Sequence, residues 1–182
     1  HACFLEMSLS GKVIGGVMKL RCVDLFAGCG GMSLGFQEAG LNVVAAYENW
    51  EPALRVYRQN FDHPVIAQDL ADVRTSVKSI SSYSPQVIIG GPPCQDFSTA
   101  GRQDESRGRA ILSVKYSEII SAVRPQYFVM ENVATIKNAN SFRKAIANFH
   151  DAGYGLTQQV LDAAYCGVPQ HRKRMFVIGC IG

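Results

Sequence analysis

The sequence predicts a single α/β domain, with a mostly parallel sheet covered by helices on both faces. Three observations carry this reading. Short apolar runs alternate with segments of helical periodicity along most of the chain. A glycine-rich turn, Gly28-Cys29-Gly30-Gly31, follows the first run and opens the first helical segment. Acidic residues and a Pro-Pro-Cys sequence fall where later runs end. Those strand ends are where an open α/β sheet places its ligand crevice.

Taken in order, the apolar run over residues 20–26 reads as a buried strand, and the glycine turn leads into a helix over 32–39 that stops before Gly40. A second strand over 42–47 runs into Glu48-Asn49-Trp50, and a helix follows over 51–60. A short strand at 64–67 ends at Gln68-Asp69. No regular element is predicted between Asp69 and Gln86. The fourth strand is 86–89, and residues 112–123 have helical spacing. A fifth strand over 127–130 ends at Glu131-Asn132-Val133, a helix covers 141–152, and strands at 156–161 and 173–179 complete the chain.

Composition narrows the class. In 182 residues, 47% hydrophobic and 18% charged content describe an ordinary globular chain with a full core. The formal charge of +3 is compatible with a nucleic-acid partner without requiring one. The six cysteines form no CxxC pair and fall mostly in apolar segments, which argues against zinc and against a disulfide scaffold and points to a reducing cytoplasm. No apolar run approaches the roughly 20 residues of a bilayer span, so a soluble protein with no membrane partner is expected. Residues 1–17 show little periodicity and read as a leader or expression remnant, leaving 18–182 as one domain.

Gly90-Gly91-Pro92-Pro93-Cys94-Gln95 closes the fourth strand. Proline fixes φ and lacks a backbone donor, so the strand stops abruptly and Cys94 is presented beyond the sheet edge instead of packed within it. Most cysteines are small buried hydrophobes, but this context favours a nucleophile. GGPPCQ followed by Phe97-Ser98 resembles the nucleophile loop of the cytosine-C5 DNA methyltransferases, and further motifs of that family appear in order. The resemblance spans about residues 20–179. It implies a Rossmann-like, S-adenosylmethionine-dependent methyltransferase fold in which the last strand is antiparallel. The Gln-Asp-Phe-Ser after Cys94 is similar to that of bacterial enzymes of restriction-modification systems, which implies double-stranded DNA as substrate and a bacterial cytoplasm.

On the cofactor side, glycines at the turn allow close backbone approach, and the free amides of a helix start favour an anionic group such as a carboxylate. Alone the turn fits a dinucleotide as well. Glu48 ends strand two, where its carboxylate can accept ribose hydroxyls, and Asp69 ends strand three, where it can accept from an adenine amine; either is as readily a cap or turn acid. Asp24-Leu25-Phe26-Ala27-Gly28-Cys29-Gly30-Gly31 resembles the family's S-adenosylmethionine loop. That implies Phe26 against the adenine, the backbone of Gly28, Gly30 and Gly31 near the methionine moiety, and Leu112 as an apolar adenine contact. S-adenosylhomocysteine is the product, and no metal is implied. Either Asn49 or Trp50 occupies the place where relatives carry a large apolar residue after the glutamate.

On the chemistry side, C5 of cytosine is a poor nucleophile until a thiolate adds to C6, and Cys94 is the candidate thiolate. Glu131, at the end of the strand beside the one feeding Cys94, faces the same crevice, where a carboxylic acid can share a proton with the base. Glu131-Asn132-Val133 resembles the family's catalytic acid motif. In Gln170-His171-Arg172-Lys173-Arg174, the residues Gln170, Arg172 and Arg174 share one side if the segment is extended. It resembles the Gln-x-Arg-x-Arg motif, which implies Arg174 at the cytosine carbonyl and Arg172 in support, with His171 and Lys173 facing outward or the phosphates. Gln95, Ser98 and Arg102, in a polar basic loop over 96–109, are placed against DNA with Gln170 and Arg172, closing on a flipped-out cytosine. Complete members continue into a target-recognition domain and a final motif, so a second chain carrying them is one expectation. An RNA (tRNA) cytosine-C5 methyltransferase and a non-catalytic cofactor-binding module are the alternatives.

Overall fold

The computed structural model describes residues 19–93 and 111–182. Cys94, Gln95, Ser98 and Arg102 lie outside the described residues. The elements run β1 (Arg21–Leu25), α1 (Gly31–Glu38), β2 (Asn42–Glu48), α2 (Glu51–Asn60), β3 (Val65–Ala67), α3 (Val73–Ser81), β4 (Val87–Gly90), α4 (Ile111–Val123), β5 (Tyr127–Val133), α5 (Asn140–Asp151), β6 (Gly155–Asp162) and β7 (Lys173–Cys180). Short 3-10 turns cover Ala134–Asn138 and Ala163–Cys166.

The strands form one sheet in the order β3-β2-β1-β4-β5-β7-β6. Strand β7 is antiparallel to both its neighbours, and the pairings from β3 across to β5 are parallel. The antiparallel last strand implied by the family resemblance is therefore present. Because side chains alternate across a strand, burial at every position of β4, and of β1 after Arg21, means that both faces of the sheet are covered there. Val23, Leu25, Ile88, Phe128 and Met130 meet Ile80 of α3, Tyr116 and Ile120 of α4, and Phe149 of α5. On the opposite face Cys22, Ile89 and Val129 meet Met32 and Phe36 of α1, while Ala46 meets Tyr57 of α2.

Gly90, the last residue of β4, shows how tightly the sheet is packed there. A Cβ on it would lie 2.6 Å from the Leu25 carbonyl oxygen and 2.7 Å from the Tyr116 ring. Only glycine lets β4 pass between those groups.

Two elements differ from the expectation. Helix α3 was not expected, although Val73, Val77 and Ile80 recur at helical spacing and Asp72 accepts the Thr75 N–H at 3.2 Å as its N-cap. Serines and threonines crowd the stretch, and their tendency to bond the local backbone masks a helix that packing against the sheet makes stable. Strand β5 continues past its apolar run to Val133, because Glu131, Asn132 and Val133 pair with Phe176, Met175 and Arg174 of β7. Glu131 is thus a strand residue, not one lying just beyond a strand.

Candidate active site

The parity of the sheet assembles the site. Asp24 shares a face with Cys22, Glu131 with Val129, and Arg174 with Phe176 and Ile178, so all three polar side chains stand on the α1 face near the carboxyl ends of β1 and β5. A cleft of about 490 Å³ opens there, and Asp24, Phe26, Gly31, Glu131, Arg172 and Arg174 are among its lining residues.

Glu131 and Arg174 form its charged centre. Arg174 Nε donates to Glu131 Oε1 at 2.9 Å, with both side chains mostly buried. Glu131 faces Phe176 in the β5–β7 register and Arg174 faces Val133, so the pair meets on the diagonal of one face. Burial raises the Glu131 carboxyl above its ordinary range, while Arg174 and then Arg172 pull it the other way. The upward effect prevails, which suits an acid that must hold or share a proton.

Asn132, next along β5, points to the other face and is buried. Its Nδ2 donates to the Pro92 carbonyl at 2.9 Å, and its Oδ1 accepts the Val133 N–H at 2.8 Å. The strand that carries Glu131 is thereby fastened to the Pro-Pro segment that leads to Cys94. Sequence reasoning quoted this asparagine within a motif and gave it no role. Its signal is an amide placed next to an acid at a strand end, opposite a proline-rich turn.

Asp162, at the end of β6, is a second residue that the sequence reading missed. Its Oδ1 accepts the Ala164 N–H at 3.2 Å and the Arg172 N–H at 3.0 Å, and its Oδ2 faces His171 Nδ1 at 3.1 Å. The Ala163 N–H donates to the Arg172 carbonyl at 3.1 Å, closing the loop that carries Arg172 to the cleft. The hydrogen bond from His171 is the main reason that the Asp162 carboxyl sits below its ordinary range. Residues 170–172 precede β7, so the extended alternation expected over 170–174 begins only at Lys173; Gln170 is exposed and not among the cleft residues.

The glycine-rich turn is built as expected. Gly28 and Gly30 take φ of 56° and 95°, and Phe26, at 57°, is held in the same left-handed region although it has a side chain. A non-glycine residue there is strained, and such strain concentrates at functional turns. Glu48 secures the turn: its Oε2 accepts the Gly28 N–H at 2.8 Å, while its Oε1 accepts the Asn49 and Trp50 N–H groups at 2.8 and 2.9 Å. Asp69 is exposed and accepts the Ala71 N–H at 2.9 Å, the geometry of a turn acid. Leu112 lies half-buried in the first turn of α4. Glu48, Asp69 and Leu112 are not among the cleft-lining residues, and Trp50 is exposed. Among the described cysteines, Cys22 is buried and Cys180 half-buried, whereas Cys29 and Cys166 are exposed.

The family model of the C-5 cytosine-specific DNA methylases matches residues 20–181. The chain belongs to this family. It is 52% identical over 160 residues to the type II methyltransferase M.HindV of Haemophilus influenzae, covering 88% of this chain and 53% of that one. It is also 52% identical to M.HgiDI of Herpetosiphon aurantiacus, covering 88% of this chain and 52% of that one. It therefore spans about half the length of these relatives. Among solved structures, S. pombe Dnmt2 methyltransferase superposes with a TM-score of 0.76 at 20% identity, over 90% of this chain and 50% of that one. That likeness concerns the fold. In this methylase fold the cleft with Glu131, Arg172 and Arg174 lies at the carboxyl ends of β1 and β5 and the start of β7.

Proposed function

We propose that the chain carries the catalytic portion of a DNA cytosine-C5 methyltransferase, acting on a flipped-out cytosine through a covalent bond between Cys94 and C6. The observation that supports it most is the mostly buried Glu131–Arg174 pair, with Glu131 on a strand whose next residue holds the Pro92 carbonyl, two positions before Cys94. The Cys94 thiolate adds to C6 and its electron pair moves the C5–C6 π electrons to C5, while Glu131 holds a proton at N3 and Arg174 donates to the base carbonyl. Arg172 adds a second positive charge to a cleft that must stabilise the anionic base. C5 then gains the methyl group, a base removes the C5 proton, and elimination of Cys94 restores the C5–C6 double bond.

S-adenosylmethionine would supply the electrophilic methyl group. The residues present fit it: the buried Asp24 Oδ1 has no hydrogen-bond partner among the described residues, the N-cap of α1 is Gly30, which offers no side-chain cap, and Phe26 and Met32 add apolar surface. We assign Phe26, the Gly28–Gly31 backbone, Glu48, Asp69 and Leu112 to this ligand as the family resemblance implies. Double-stranded DNA is the substrate, within a bacterial restriction-modification system. Target recognition falls to the part of the relatives' length that this chain does not span, in the same polypeptide or in a second one.

A duplex carrying 5-fluorocytosine tests the chemistry. With S-adenosylmethionine, the wild-type chain, supplied if needed with the remaining portion of the enzyme, should form an adduct that survives denaturation. Cys94→Ser should form none, and Glu131→Gln should slow adduct formation by about 10²–10⁴-fold. Methylation by Cys94→Ser at the wild-type rate would refute the mechanism.

A further inference from the structure

Behind the cleft, four side chains from four segments form one continuous hydrogen-bonded chain. Asp24 lies on β1, Ser33 on α1, Tyr57 on α2, and His63 on the connection to β3. Ser33 Oγ donates to Asp24 Oδ2 at 2.7 Å, Ser33 Oγ and Tyr57 Oη are 2.6 Å apart, and Tyr57 Oη and His63 Nε2 are 2.6 Å apart. Counting protons fixes the direction. While Asp24 is ionised, Ser33 has one hydroxyl hydrogen and gives it to Asp24, so Tyr57 donates to Ser33 and the tyrosine oxygen accepts from His63 Nε2–H. Asp24, Ser33 and Tyr57 are fully buried, and His63 is half-exposed at the far end.

We propose that this chain sets the charge on Asp24, making Ser33, Tyr57 and His63 positioning residues for the cationic, amino-acid end of the bound cofactor. The inference rests on the cofactor reading above. Asp24 is a cleft-lining residue whose Oδ1 has no partner among the described residues, and it stands beside the amides of the α1 N-terminus, an arrangement that complements a zwitterion: amides for a carboxylate, Asp24 for an ammonium. An uncharged Asp24 would lose the second half of that complement. Burial is the largest influence on its carboxyl, raising it to about 7; the Ser33 hydroxyl and amide oppose this, and Glu48 adds to it. The charge on Asp24 therefore changes near neutral pH, where the chain can bias it.

The other groups facing this network are few. Cys22 and Tyr116 are both pushed well above their ordinary ranges and stay neutral, and Asp62 opposes the burial that lowers His63. Glu131, Arg172 and Arg174 line the same cleft from β5, from the loop before β7 and from β7. None of these is bonded into the chain, so a change in Tyr57 or His63 reports on Asp24.

Two measurements test this. In the free protein, carboxyl carbon NMR follows the titration of Asp24. In Tyr57→Phe, which keeps the core volume, the midpoint should rise by about half a pH unit, because hydrogen bonds to a charged acceptor are the stronger ones. His63→Ala should follow Tyr57→Phe, and His63→Gln, whose amide still donates, should stay near wild type. Calorimetric affinity for S-adenosylmethionine without DNA should weaken as pH falls through the same midpoint, and at pH 7 should be about twofold weaker in Tyr57→Phe. An Asp24 midpoint unmoved by Tyr57→Phe overturns the role of the chain. Affinity without pH dependence in wild type overturns the role of Asp24, whereas absence of binding at every pH overturns the cofactor reading itself.

Discussion

Replacing Asn132 by alanine removes two bonds at once, and the structure sets the scale of the loss. The Pro92 carbonyl loses its donor in a buried setting and the Val133 amide loses its acceptor. An orphaned buried carbonyl costs about 1–3 kcal/mol and the second bond about 1 kcal/mol, so destabilisation on the order of 2–4 kcal/mol is expected. For a chain of this size each kcal/mol corresponds to roughly 2–4 °C in Tm, which places the loss near ten degrees. Catalysis should suffer separately, since a misplacement on the order of 1 Å at a reacting group costs about 10²-fold. Asn132→Asp gives a sharper contrast. Its carboxylate still accepts the Val133 N–H but sets an acceptor against the Pro92 carbonyl, so part of the loss should recover at acidic pH as the side chain regains a donor. Thermal melts at pH 5 and pH 8, with adduct formation on a 5-fluorocytosine duplex, measure both effects. An Asn132→Ala chain that melts within a degree of wild type and reacts at full rate would show that the bond neither stabilises the fold nor presents Cys94.

Three further outcomes follow from the geometry. Asp24 binds its proton more tightly folded than unfolded, so its contribution to stability is fully present below its ordinary 3.8 and is lost as pH rises through about 7. At about 1.4 kcal/mol per pH unit, Asp24→Asn should gain on the order of 4 kcal/mol over wild type at pH 8 and almost nothing at pH 4, as read by denaturant titration; an equal effect at both would contradict the burial argument. Asp162→Ala should free the loop that ends at Arg172, cutting turnover by roughly 10–100-fold while leaving cofactor affinity within about twofold; a change confined to cofactor affinity would reassign Asp162. Gly90→Ala should force β4 away from Leu25 and Tyr116, destabilising by roughly 1–3 kcal/mol in a melt, and an unchanged Tm would show that the strand has room to move.

Much of the fold was legible because apolar runs of strand length and turn residues are local signals, and β1, α1, β2, α2, β3 and β4 lie within a residue or two of their expected positions. The Gly-rich turn, the Gly-Gly-Pro-Pro strand end and the two arginines were legible for the same reason, since each is a short pattern with its own backbone or charge logic. What the sequence could not determine depends on neighbours far along the chain. The extent of β5 was set by β7, more than 40 residues later, which keeps Glu131 in a ladder. The pairing of Glu131 with Arg174 depends on that register, and the raised carboxyl depends on burial, which no local pattern reports. Asn132 and Asp162 looked like ordinary polar residues in sequence and became fasteners only when the fold brought the Pro92 carbonyl and the Arg172 amide to them. The residue types available for chemistry are written locally; which of them meet, and with what charge, is decided by long-range contacts and by the water those contacts exclude.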